Sequence, residues 1–297
     1  MTWTGLKRAV GSAYCDITES RTLLIAAALS YYLVLSVFPA LILFLAAVAS
    51  LPLPGLYKQV FTLLSPLLPA DTALSVQSLL FDLLASSHRA WLSFGTVGTV
   101  WIASSAFDAM IEALDVAYQV TEARPFWKTR FLAIGLAATT GCLLVSGLVV
   151  MILGPEFGRW LAIRINFPHL AALWSVFHWV AAVTVALIAV EMMYFLAPNV
   201  KQRLGATLPG AILAVSCWIG LSYLLGFYFR HIADISRTYG TLAGFIAFMT
   251  WFYWNSFALL VGAHLNAALA KESAKGSLPQ REPSEATEEP EKPADGA

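Results

Sequence analysis

Apolar residues run through this chain in long unbroken stretches, and the charges gather in the gaps between them. Segments bounded by charge or by Gly and Pro lie near residues 23–51, 91–110, 131–153, 170–197, 205–228 and 241–269. Each is on the scale of the roughly 20 residues that a helix needs to cross a hydrocarbon core of about 30 Å. A helix on the surface of a soluble domain keeps a polar face, and these segments carry almost no charge on any face. The pattern predicts an all-α fold, a polytopic membrane helix bundle with about six transmembrane helices. A cleaved signal peptide does not account for it: the first run begins only near Leu23, is too long for a signal h-region, and is followed by equally long runs to the end of the chain.

Between the first two spans, residues 56–85 are leucine-rich but interrupted by Pro66, Pro69 and Asp71. Val76, Leu79, Leu80 and Leu83 recur there with a helical period, which reads as short amphipathic helices outside the bilayer core. The chain therefore divides into an N-terminal segment (1–22), a six-helix membrane domain (23–270) and a tail (271–297). The tail is rich in Glu, Pro, Lys, Ser and Ala, with Leu278 its one large apolar residue, a composition that cannot offset its ordering entropy.

Composition sharpens this picture. Hydrophobic residues make up 59% of the chain and charged ones only 12%, about half the charged share of a soluble domain. Formal net charge is zero, so overall charge offers nothing toward nucleic-acid binding, and no nucleic-acid partner is expected. The distribution of charge says more. With six spans, twelve of the Lys and Arg residues fall on the side of the termini and six on the other, so the positive-inside rule puts both termini in the cytoplasm. Cys15, Cys142 and Cys217 are far apart, without metal-site or redox spacing.

Few residues could carry chemistry. Asp108, Glu112 and Asp115 are spaced by four and three, which places the carboxylates on one helix face at the cytoplasmic end of the second span. Such a stripe is either a cation, proton or substrate vestibule, or a hydrated helix end paired with Arg124, Lys128 or Arg130. Glu191 lies inside the fourth span, about 10 Å of helix before Pro198, where a lipid-facing carboxylate would be costly. It reads as a functional acid or as a structural hydrogen-bonding one. His264 and Asn266 lie near the cytoplasmic end of the sixth span, a position that suits an interhelical hydrogen bond. If their helices are neighbours, Asp108, Glu191 and His264 line one cytoplasm-facing polar cavity. Other features read as architecture: Pro39 kinks the first span, Pro209 and Gly210 start the fifth, and Gly240 and Gly244 form a GxxxG that permits close helix contact. Walker A, G-x-S-x-G and H-E-x-x-H sequences are lacking, so no catalytic residue, cofactor or metal is assigned.

Several ordered motifs resemble the YihY/BrkB family of bacterial inner-membrane proteins over roughly residues 20–270. They are Ala26-Ala27-Ala28-Leu29-Ser30-Tyr31-Tyr32 with Phe38-Pro39, Ala113-Leu114-Asp115 with Tyr118, and Arg124-Pro125-Phe126-Trp127. Further on come Tyr194 with Pro198-Asn199, Pro209-Gly210-Ala211 with Trp218, Tyr239-Gly240, and Gly262-Ala263-His264-Leu265-Asn266-Ala267. The chain differs from the family's usual pattern at His264, where an acid is common, and at Asp115, where Asn is frequent. The resemblance implies a six-helix inner-membrane protein with cytoplasmic termini, and brings with it a virulence or serum-resistance label and an old ribonuclease BN label.

These readings favour a transporter or lipid-handling protein over an enzyme, with membrane lipids as its expected partners and a polar site drawn from Asp108, Glu112, Asp115, Glu191 and His264. A membrane-associated ribonuclease, which would need a metal-binding carboxylate cluster open to RNA, and a structural envelope protein are the alternatives.

Overall fold

The computed structural model describes residues 3–50, 62, 78, 97–165, 169–200, 202–203, 205–231 and 240–277. Among them are seven helices and no strand: α1 (Trp3–Glu19), α2 (Thr22–Ser50), α3 (Ser105–Ala117), α4 (Phe126–Ile165), α5 (His169–Leu196), α6 (Leu208–His231) and α7 (Gly240–Ser277). Among the described residues six segments are long and apolar enough to cross a membrane: Thr22–Phe44, Val97–Ala117, Phe126–Gly147, Val176–Leu196, Leu208–Tyr228 and Gly244–Ala274. The all-α, six-span expectation holds. The second span runs on to Ala117, past the expected end near 110, so that Asp108, Glu112 and Asp115 are all carried inside it; residues 91–96 lie outside the described residues. The amphipathic stretch expected at 56–85 lies outside the described residues, apart from Thr62 and Ser78. Helix α7 continues to Ser277, past the expected start of the tail, and the rest of the tail lies outside the described residues.

Large apolar side chains such as Tyr31, Leu35, Leu144, Val176, Tyr223 and Phe245 point outward from the spans. That would be costly in water, but hydrocarbon is their solvent here. The polar ends are closed locally. Helix α3 ends in a Schellman-type turn: the Val120 amide donates to the Asp115 carbonyl at 2.9 Å and the Gln119 amide to Val116 at 3.0 Å, with Gln119 in the left-handed region at φ 56. Arg21, also at positive φ (51), turns the chain from α1 into α2. Pro39 is held within α2, and Pro209 falls in the first turn of α6, where a missing N–H costs no intrahelical bond.

Helices α4 and α5 form one antiparallel hairpin, with Gly158 beneath the Trp174 ring and Gly147 facing Val185. Helices α6 and α7 form another, and α7 packs in addition on α1, α2 and α3. The buried core is concentrated toward the end of the bundle where α2 and α6 begin and α3, α5 and α7 finish. Leu29, Ile111, Leu114, Tyr194 and Leu260 fill it, and alanines such as Ala26, Ala113, Ala211 and Ala263 let the helices approach around them.

Candidate functional site: a polar layer at one end of the bundle

The same end of the bundle collects the buried polar side chains. Three hydrogen-bonded groups make up the layer, and each joins segments remote in sequence.

The first centres on the loop between α5 and α6. Glu191, on the last turns of α5, accepts through Oε1 from the Gly205 amide at 3.0 Å and the Thr207 hydroxyl at 2.7 Å. Gly205 reaches that position at φ +85, a conformation that a side chain would strain. Asn266 of α7 accepts from the Gly210 amide and donates to the Thr207 carbonyl, both at 2.8 Å, so one amide caps the start of α6, where amides lack intrahelical partners. Tyr194 donates to the Leu259 carbonyl at 2.6 Å, and its own carbonyl accepts from Gln202. Tyr118, just past the second span, is buried beside the group. Burial pushes its hydroxyl up to about 12; the amides of Asn266 and Gln202 oppose that shift and the Glu191 carboxylate adds to it. The phenol stays neutral at physiological pH, and its buried oxygen makes no hydrogen bond among the described residues. Glu191 Oε2 is buried here without a hydrogen-bonding side chain or backbone group.

The second group clamps the end of α5. Arg124 donates to the carbonyls of Ala197 at 3.0 Å and Pro198 at 3.1 Å, the terminal acceptors that a helix leaves unpaired. Asp115, which is 3% exposed, accepts from the Asn199 amide at 2.9 Å. Nearby, Arg130 of α4 reaches across to the second span. It pairs with Asp108 at 3.3 Å, donates to the Trp101 carbonyl and Ser105, and lies 4.0 Å from the centroid of the Trp101 ring.

The third group ties the N-terminal helix to α7. His264 Nε2 lies 2.9 Å from the Thr22 hydroxyl and 3.3 Å from Ser20. Lys271, two turns on, pairs with Asp16 at 3.4 Å and donates to Gln119 at 2.7 Å.

The structure brings Asp115, Glu191 and His264 to one end of the bundle but gives each its own partners, while Asp108 lies about two turns deeper on the second span, against Arg130. Glu112 points to solvent. The Asp108 carboxylate has the Arg130 partner that the solvated-end reading anticipated. Among the described residues no group of three His, Cys, Asp or Glu side chains converges as a metal site would require. Close backbone approach is found at Gly210 and Gly262. Sequence reasoning missed the roles of Thr207, Gln202 and the Arg124 clamp, since none has a local signature. Their one visible signal was that the motif segments 113–118, 124–127, 194–199, 209–211 and 262–267 stood out, and these are the segments that meet here.

An apolar cavity of about 520 Å³, shaped as an open groove, lies further along the α6–α7 hairpin, lined by residues including Leu221, Leu225, Tyr228, Ala247, Trp251 and Trp254. It too was not legible, because each helix alone shows only uniform hydrophobicity.

The family described as virulence factor BrkB matches residues 13–287. This chain belongs to the BrkB family. Among curated relatives it is similar to the ribonuclease-like protein YfkH of Bacillus subtilis, 32% identical over 87% of this chain and 92% of YfkH. It is also similar to UPF0761 membrane proteins of Xanthomonas campestris and Xanthomonas axonopodis, 25% identical over 85% of this chain. The chain spans 58% of the length of those Xanthomonas relatives. No solved structure matches it. For this BrkB-family chain the matched region takes in all six spans and the whole polar layer.

Proposed function

We propose that this BrkB-family chain is a lipid-handling transporter of the bacterial inner membrane, with both termini in the cytoplasm. The observation that carries the reading is the α6–α7 cavity. Its volume of about 520 Å³ falls within the roughly 300–1,000 Å³ of small-molecule sites. Its walls are leucine, isoleucine, alanine and aromatic side chains, with Thr250 beside them, inside two membrane spans, which suits an acyl chain and offers little to a hydrophilic solute. From Trp254 to Asn266 the rise of α7 is about 18 Å, close to the depth of one leaflet of a core about 30 Å thick. A lipid with its tail at the cavity can therefore present its polar end to the layer around Tyr118, Glu191 and Asn266. In this reading Asp115 and His264 hold that layer together, Asp108 lies deeper against Arg130, and Glu112 meets the aqueous phase beside the layer. The twelve-to-six excess of Lys and Arg on the side of the termini supports the orientation.

The name of YfkH raises a ribonuclease as a second reading, but the geometry does not favour it: the three carboxylates of the second span address different neighbours.

The test is photolabelling of the purified protein in nanodiscs with a phospholipid bearing a diazirine near the end of its acyl chain. Labelling is expected at residues 221–228 and 246–254, and Ala247→Trp, which fills the cavity, is expected to reduce it several-fold without lowering the melting temperature. Uniform labelling over all lipid-facing helices, unaffected by Ala247→Trp in a folded protein, overturns the reading.

A further inference from the structure

Helix α1 is not among the membrane spans, yet it carries an apolar stripe that is largely exposed. Ala9 and Ala13 are buried against Ala268 and Leu269 of α7, with Leu265 packed beside them. The Asp16–Lys271 pair fixes the helix from the polar side. At about 100° per residue, Val10, Tyr14 and Ile17 fall within roughly 60° of one another on a stripe beside that contact. Arg8, Ser12, Cys15 and Glu19 lie on the opposite face. Val10 is 53% exposed and Tyr14 75% exposed, whereas a peripheral helix in water would turn such residues inward.

We infer that α1 lies flat in the membrane interface on the side of the termini, with Val10, Tyr14 and Ile17 in the acyl boundary of an anionic lipid surface. Two observations select lipid as the occupant. The stripe is continuous with the hydrocarbon-facing surface of α2: the turn at Ser20–Arg21 leads directly to Leu23 and Leu24, 52% and 65% exposed at the start of a membrane span. The cations of α1, Lys7 beside the stripe and Arg8 on the opposite face, stand in its first half, while its acids Asp16 and Glu19 stand in the last, Asp16 paired with Lys271. An amphipathic helix with aromatic and aliphatic residues on one face and basic residues along the margin binds such surfaces, and juxtamembrane cations are drawn to anionic headgroups. The contacts with α7 set the rotation of α1, since moving Tyr14 out of the interface would require breaking the Ala9 and Ala13 packing or the Lys271 pair.

The experiment uses the full chain in nanodiscs, with Cys15, Cys142 and Cys217 replaced by Ser and a single environment-sensitive fluorophore placed by Tyr14→Cys, Val10→Cys or Ser12→Cys. Fluorophores at 14 and 10 are expected to be quenched by doxyl-labelled phospholipid and shielded from iodide. The one at 12 is expected to behave in the opposite way. Replacing part of the phosphatidylcholine with phosphatidylglycerol is expected to increase lipid quenching at 14. Equal iodide access at 14 and 12 overturns the inference, as does shielding of 14 from both quenchers, which would mean that protein covers the stripe. A profile unchanged by phosphatidylglycerol overturns the anionic-headgroup part. A melting transition like that of the cysteine-free parent confirms that each labelled protein is folded.

Discussion

Gly210 and Gly262 bring the backbones of α6 and α7 into direct contact. A Cβ on Gly262 would stand 2.5 Å from the Tyr194 hydroxyl and 2.6 Å from the Gly210 carbonyl oxygen, and a Cβ on Gly210 would overlap the Gly262 carbonyl and the Asn266 amide. The Asn266 cap on Gly210 and the Tyr194 bond to Leu259 both depend on that approach. Because the obstructing atoms include the facing backbone carbonyl at each site, a methyl group cannot be accommodated by a rotamer change alone. Gly210→Ala and Gly262→Ala are each expected to destabilise the folded protein by about 1–3 kcal/mol, the usual cost of overpacking. Gly141→Ala and Gly220→Ala, which meet open space, are expected to leave it unchanged. Thermal unfolding followed by size-exclusion chromatography in one detergent measures all four; equal melting temperatures across the set would show that the contact is not tight.

Arg130 is the buried cation that holds α4 to the second span. Its side chain is 5% exposed and that of Asp108 37%, so the two ends of the pair are unequal. Removing the guanidinium leaves Asp108 without its cation and takes one donor from the Trp101 carbonyl, which keeps the Ser104 and Ser105 hydroxyls, and Arg130→Met is expected to cost about 3 kcal/mol. Asp108→Asn, at the wetter end, is expected to cost less than half of that, because Arg130 keeps its other acceptors and the Trp101 ring. Reversal of that order in thermal melts would place the main contribution on the carboxylate.

Glu191 offers a separation of fold from function. In Glu191→Gln the remaining carbonyl oxygen can still accept from Gly205 and Thr207, so insertion and melting temperature are expected to stay close to the parent. Lipid handling is expected to fall at least tenfold where the ionisable carboxylate is needed, as intramembrane acids generally mark functional positions. Glu191→Leu removes both acceptor functions and is expected to lower stability by about 1–3 kcal/mol. Lipid transfer at the parent rate by Glu191→Gln in proteoliposomes would remove Glu191 from the mechanism.

Cys15 reports on orientation and on local charge. It is exposed on the polar face of α1, and its thiol is held above the usual range chiefly by the negative charge of Glu19, whose Oε1 lies 3.6 Å away. A raised pKa means less thiolate at a given pH, and the thiolate is the species that reacts. Maleimide labelling at pH 7 is therefore expected to be slow, to accelerate as pH rises through the thiol's shifted range, and to be faster in Glu19→Gln. In a Cys142→Ser, Cys217→Ser background, a membrane-impermeant reagent is expected to label inverted vesicles and spare intact spheroplasts. The opposite sidedness would reverse the proposed topology.

The sequence by itself determined the all-α class, the number of spans and the motifs that marked the chain as resembling the BrkB family. Hydropathy over about 20 residues is a local property, and in hydrocarbon every backbone polar group has to be satisfied within the helix. Residues such as Asp115, Glu191 and Asn266 stood out for the same reason, since a polar side chain in an apolar run is visible in one dimension. Only the tertiary structure decided what those residues do. Asp115 meets Asn199, 84 positions away, Asn266 meets Gly210, 56 away, and His264 meets Thr22, 242 away. Helix pairing selects these partners, and helix pairing rests on close packing at sites such as Gly210 and Gly262. A GxxxG can be read along one chain segment, but two single glycines on different helices become a contact only when the register of α6 against α7 is set. The α6–α7 cavity follows the same rule: its walls are apolar residues indistinguishable in sequence from those that face lipid, and only the divergence of two packed helices leaves space between them.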